Sequence, residues 1–226
     1  MRFTIDSPSR FPALELTLDP GEELLVDPAS IVTMSPSTEF SVARARPVMA
    51  GRWWGSLGDK PAADPFHTAL LRAEAAAAQV RLASPRQGTI AALVLKPAEE
   101  YFLVQSHFLA CAAGLSLSHQ VLKSSLPAVR NKQPPSLSLL QLAGPGEVFV
   151  DCQGEYQQQE LGEDESLWVS VRCLIGFDGN LQIDWGRSLR EVRQPISRRY
   201  QEAFLRAIGP GRIAYQTRPG RGGVAI

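Results

Sequence analysis

The sequence predicts an all-β protein made of three antiparallel β pseudo-repeats, arranged as a β-sandwich or β-roll with pseudo-threefold character. Three observations predict it. An acidic turn followed by two apolar runs recurs three times at long spacing. Short strand-like runs with turn residues between them fill the chain around each occurrence. Gly-Pro-Gly tripeptides follow the second and third occurrences at matching places.

The first occurrence begins at Leu18, with Pro20-Gly21-Glu22-Glu23, the run Leu24-Leu25-Val26, the break Asp27-Pro28, and the run Ile31-Val32-Thr33-Met34. The second begins at Leu95, with Pro97, Glu99-Glu100, Tyr101-Phe102-Leu103-Val104 and Phe108-Leu109. The third begins at Leu161, with Asp164-Glu165, Leu167-Trp168-Val169 and Leu174-Ile175. The starts lie 77 and then 66 residues apart. This spacing divides one structural unit into repeats 1–87, 88–154 and 155–226. A chain of 226 residues, 44% hydrophobic and 20% charged, has the composition of an ordinary globular protein and the length for a large core.

In chain order, Ala13-Leu14-Glu15-Leu16-Thr17-Leu18 alternates as a strand with one buried face requires. Pro20-Gly21 makes a tight turn. Leu24-Leu25-Val26 is uninterrupted, which predicts burial on both faces. Pro28 ends that run, because it lacks the donor that a ladder needs. Residues 89–95 and 156–161 stand in the same place ahead of the later runs. Gly144-Pro145-Gly146 and Gly209-Pro210-Gly211 each separate two strand-like runs and predict hairpins. Irregular inserts cover 43–68, 123–135 and 187–199. Thr68 to Gln79 is Ala-rich and helical by intrinsic preference, but the repeat places a strand at Leu70–Arg72. The repeat likewise places a strand at Phe204–Ile208, with Phe204 in the core and a short helix ahead of it.

The ordered series of acidic turn and apolar run, the Gly/Trp insert after the first occurrence, and the Gly-Pro-Gly turns before Phe149 and Tyr215 resemble the altered inheritance of mitochondria protein 24 family. The resemblance spans nearly the whole chain. It implies a fold similar to that of the tryptophan RNA-binding attenuator protein, with antiparallel β modules in three pseudo-repeats, often packed as oligomers. Mitochondrial members are linked to inner-membrane organisation and bacterial members have no established activity, so the resemblance implies no catalytic residue. The chain departs from the family at Ala76-Ala77-Ala78 and in its shortened glycine inserts.

Few residues combine into a reactive pattern. His67, His107 and His119 are too scattered for a metal site. No Gly-x-Ser-x-Gly elbow is present, and Cys111 and Cys173 read as buried apolar residues on strands. The three cysteines, with no close pair, suit reduced thiols. Glu22-Glu23, Glu99-Glu100 and Asp164-Glu165 read as solvated turns rather than catalytic dyads. Trp53-Trp54 beside Arg52 is the most unusual local feature: the two indoles suit either a cover over the open end of a β module or a contact with a partner or a membrane surface. Residues 187–226 carry nine Arg against two acids, a net +7, which leaves −7 on 1–186. No apolar run is long enough to span a bilayer and no leader segment is seen, so the cytoplasm is the expected location.

The expected function is a non-enzymatic interaction or scaffold protein with no metal and no cofactor. Its expected partner is another protein or a second copy, with peripheral membrane contact through Arg52, Trp53 and Trp54. The alternative is a nucleic-acid or anionic-ligand binding module using Arg190, Arg193, Arg198 and Arg199, with nucleic acid the less favoured partner.

Overall fold

The computed structural model describes residues 1–6, 12–44, 46–47, 67–85, 88–125, 136–185, 204–220 and 224–225. After β1 (Arg2–Asp6) come β2 (Ala13–Leu18), β3 (Glu23–Val26), β4 (Ile31–Met34), β5 (Thr38–Arg44), the two-residue β6 (Arg46–Pro47), β7 (His67–Ala73) and β8 (Ala78–Ala83). A second group holds β9 (Gly88–Leu95), β10 (Glu100–Val104), β11 (Phe108–Ala112), β12 (Ser116–Lys123), β13 (Ser136–Ala143) and β14 (Gly146–Gln153). A third holds β15 (Tyr156–Leu161), β16 (Ser166–Ser170), β17 (Leu174–Asp178), β18 (Gln182–Asp184), β19 (Phe204–Ile208) and β20 (Gly211–Gln216), and β21 (Val224–Ala225) closes the order.

One pairing plan serves the three groups. In one layer the last strand is flanked by two others: β8 by β2 and β4, β14 by β9 and β11, β20 by β15 and β17. In the opposite layer the second-last strand is the centre: β7 lies between β3 and β5, β13 between β10 and β12, β19 between β16 and β18. Each group is thus a sandwich of two three-stranded antiparallel layers, whose inner faces exclude water from both sides. The bulge recurs too, with register shifts at Ile31/Thr33, Phe108/Ala110 and Leu174/Gly176.

Neighbouring groups join strand to strand. β3 pairs with β11, and β10 pairs with β17. These junctions merge layers into the sheets β5-β7-β3-β11-β14-β9 and β15-β20-β17-β10-β13-β12-β6, with β21 also on β13. The layers β1-β2-β8-β4 and β16-β19-β18 stay separate.

Three hydrophobic cores follow from this plan. Leu14, Leu16, Leu18, Val80 and Leu82 meet Leu24, Val26 and Leu71 in the first. Leu93, Leu95, Val148 and Val150 meet Tyr101, Leu103, Leu140 and Leu142 in the next. Phe177, Ile213 and Leu161 meet Val169, Leu205 and Ile183 in the last. At the junctions β10, β11 and β17 are covered on both faces and read as apolar runs, β3 keeps Leu25 half-buried and so falls short of the burial on both faces that its apolar run predicts, and β8 alternates buried and exposed. Phe149 and Phe177 are fully buried, and truncating either to Ala would cost about 3–5 kcal/mol. Phe3 of β1 packs edge-on against Phe149, with ring centroids 4.9 Å apart.

The Ala-rich segment is strand up to Ala73 and again from Ala78, with a turn at 74–77, and it includes the strand expected at Leu70–Arg72. Thr68, Ala69, Leu71 and Ala73 are buried, and this tertiary burial outweighs helix preference. Four expectations are corrected. The Gly-Pro-Gly tripeptides are not hairpins: they carry the chain from β13 to β14 and from β19 to β20, which lie in different sheets. The physical reason is that each of these strands already has a neighbour on both sides. Regular structure also reaches further into the inserts than expected, since β5 runs to Arg44, β7 starts at His67 and β12 includes Lys123. Phe204 lies on β19 but faces outward, while Leu205 and Ala207 take the core positions. Cys173 sits half-buried in the turn before β17, not on a strand. The expected helix ahead of Phe204 falls outside the described residues. Among the described residues no helix is long and apolar enough to cross a membrane.

Candidate interaction edges

The recurring acids have a structural role. Glu22 accepts the Asp19 N–H at 2.8 Å, Glu99 the Lys96 N–H at 3.0 Å, and Glu165 the Gly162 N–H at 2.9 Å. In each case the acid's own N–H returns to the carbonyl of the same residue, at 2.9 to 3.1 Å. Both bonds tie the turn that carries the chain from one layer to the other. The terminal ammonium of Met1 first, and the Asp19 N–H after it, hold the Glu22 carboxyl below its ordinary value.

The histidines are likewise satisfied and apart. His107 is buried and its Nδ1 donates to the Asp151 carbonyl oxygen at 2.8 Å. Asp151 also accepts from Ser84 Oγ at 2.9 Å. Both side chains therefore meet at Asp151, the serine on its carboxylate and the imidazole on its carbonyl. His107 stands in a 3-10 turn, not on a strand with Cys111. His119 Nε2 donates to Gln105 Oε1 at 3.0 Å, and burial lowers the pKa of its ring. His67 is exposed on β7. Cys111 is fully buried, and burial pushes its thiol up to about 12. Among the described residues no group of three or more His, Cys, Asp or Glu is placed to hold a metal ion.

Charge concentrates at the junctions. Where β10 meets β17, Arg212 of β20 donates from Nε to Asp178 Oδ2 at 2.9 Å and from Nη2 to Asp178 Oδ1 at 3.1 Å. Its Nη2 also reaches Glu99 Oε2 at 3.0 Å, which ties the third group to the second. The buried Tyr101 hydroxyl has no hydrogen-bond partner among the described residues, and burial raises its pKa well above 10. Glu147 takes the place of Arg212 at the other junction. Both follow the first glycine of their strands, Gly146 opposite Leu95 and Gly211 opposite Leu161. An acid there cannot bridge Glu22, and a cavity of about 410 Å³ lined by Glu22, Glu23, Ala112, Gly114 and Glu147 remains.

The third junction is not formed among the described residues. β4 ends one sheet and β16 ends another, and among the described residues neither has a strand on its outer side. Val32 is 55% exposed, Met34 44% and Trp168 40%, whereas the corresponding junction residues Cys111 and Phe177 are buried.

Neither edge stands out in the sequence. Both are apolar runs, and no local pattern separates a paired edge from a free one. The candidates expected from the sequence, Arg52, Trp53 and Trp54, and the arginines Arg190, Arg193, Arg198 and Arg199, lie outside the described residues. Two basic residues of the same end are already engaged: Arg212 as described, and Arg206, whose Nη2 donates to Ser166 Oγ at 3.0 Å.

With this arrangement in view, the model of the family described as mitochondrial biogenesis AIM24 matches residues 3–218. The chain belongs to the AIM24 family. A search of curated proteins finds no match. Among solved structures, the crystal structure of a Streptococcus pyogenes protein is similar with a TM-score of 0.66, over 96% of this chain and 94% of that one, at 17% identity. At that identity the likeness speaks for the fold, which agrees with the all-β architecture of the AIM24 chain.

Proposed function

We propose that this AIM24-family chain is a non-enzymatic interaction or scaffold protein that works in the cytoplasm. The observation that supports this reading most is the pair of uncharged free edges, β4 and β16, with Val32, Met34 and Trp168 open to solvent. Soluble proteins that do not associate usually blunt such edges with charge, proline or a covering segment. Three separate cores already stabilise the sandwiches, so these side chains are available for contact. Peripheral membrane contact through Arg52, Trp53 and Trp54 belongs to the same reading.

The test is a native pull-down with the full chain from its source lysate, run beside the variant Trp53→Ser with Trp54→Ser. The reading expects a discrete protein or lipid partner that the variant loses while its circular dichroism is unchanged. Nuclease-sensitive material that washes off with salt, and is lost on Arg198→Ala with Arg199→Ala, would transfer the reading to anion binding. Turnover of a small molecule by the purified chain would overturn it.

A further inference from the structure

The two formed junctions are a template for the missing one. In each, the strand that follows the capping acid pairs antiparallel with the bulged strand of the next group. Leu25, three residues after Glu22, faces Cys111. Phe102, three residues after Glu99, faces Phe177, and their rings stack at 5.4 Å. Trp168 stands three residues after Glu165 in the same way. On the opposite side, Cys111 and Phe177 are each the second paired residue after the bulge, and Met34 holds that position on β4. The backbone bonds agree: the Gln79 N–H donates to Ser35 Oγ at 3.1 Å, as the Arg212 N–H donates to Asp178 Oδ2 at 2.9 Å. The free edges β16 and β4 are therefore the two halves of a third junction, and they are not joined to each other in this chain.

We infer that the β16 edge of one copy pairs antiparallel with the β4 edge of a second copy, with Trp168 opposite Met34 and Val169 opposite Thr33. The composite sheet runs β18-β19-β16 into β4-β8-β2-β1 of the next copy. The pairing would give both edges their missing hydrogen bonds and bury three large apolar side chains that now face water. Neither edge carries a charge, a feature that leaves it open to strand addition. Because the two edges are different surfaces, the contact is head-to-tail, and copies add until the ring closes or a filament grows. This rests on the interaction reading above and names one partner for it, a second copy of this chain.

Directly opposed residues on paired strands have Cβ atoms close enough for a disulfide. The full chain is made as Met34→Cys and, separately, as Trp168→Cys, both with Cys173→Ser to remove the half-buried native thiol. On mild oxidation the equimolar mixture is expected to give a covalent species of twice the chain mass, with neither variant doing so alone. A chain carrying both cysteines is expected to give a ladder. No cross-link in the mixture, or a doubly substituted chain that closes only on itself as a monomer, would overturn the inference. The unmodified chain supplies a second measurement: hydrogen exchange of β4 and β16 amides should slow as protein concentration rises, with other strands unchanged, and concentration-independent exchange would also overturn it. A chain that stays monomeric in every arm yet captures a partner from lysate keeps the interaction reading and refutes this one.

Discussion

Replacing Arg212 by Met removes the guanidinium that ties the third strand group to the second while keeping most of the apolar stem. Asp178 then keeps only the backbone N–H of residue 212, at 2.9 Å, and Glu99 keeps the Lys96 N–H. The side chains of Arg212, Asp178 and Glu99 are 27%, 15% and 30% exposed, so the network lies between the surface and buried limits. Exposed ion pairs contribute up to about 1 kcal/mol, and breaking a buried pair costs about 3–5 kcal/mol. The loss expected for Arg212→Met is about 2 kcal/mol, or about 4–8 °C in Tm for a chain of this size. A double-mutant cycle with Glu99→Gln should show coupling of about 1 kcal/mol. The Lys96 N–H first, and the Arg212 charge after it, hold the Glu99 carboxyl below its ordinary value of 4.5. That contribution is full above 4.5 and is lost as pH falls through the lower folded value. The gap between wild type and Arg212→Met should therefore narrow in acid. The assay is thermal unfolding followed by circular dichroism at pH 7 and at about pH 3. A variant melting within about 1 °C of wild type at pH 7, or a gap that does not narrow at pH 3, would refute the reasoning.

Three further outcomes follow from the same geometry. Glu165→Ala removes the bond from the Gly162 N–H and should cost about 0.5–1 kcal/mol in urea unfolding, close to the loss of a helix cap. Gly176→Ala would place a Cβ 2.6 Å from the Phe102 carbonyl oxygen and 2.6 Å from the Tyr101 ring, so it should destabilise by about 3 kcal/mol or more; near-neutral behaviour would mean that this junction opens easily. Cys111 should react with a soluble disulfide reagent at pH 8 only after unfolding, because burial pushes its thiol up to about 12, and rapid labelling of Cys111 in the native chain would count against the packed β3–β11 junction.

The sequence by itself determined where most strands lie and, where a run alternates or is unbroken, which faces are covered, but it put Phe204 inside and Cys173 on a strand because an apolar run does not set its own register. Leu14, Leu16 and Leu18 alternate because one face of β2 is wet, and Tyr101 to Val104 do not because both faces of β10 are covered. These patterns are local: a strand has period two, and burial selects apolar residues at each covered position. The recurring turn acids were legible for the same reason, since each caps a backbone N–H three residues away. The tertiary structure alone decided which strands meet. The Gly-Pro-Gly segments looked like hairpins because turn chemistry is the same whether a chain folds back within a layer or crosses to the next. Arg212 and Glu147 hold corresponding positions, yet one clamps a junction and the other borders a cavity, because the outcome depends on which acids arrive from another group. The free edges were hidden most deeply of all. Ile31 to Met34 and Leu167 to Val169 are apolar runs like their paired counterparts, and what distinguishes them is that no strand among the described residues lies beside them.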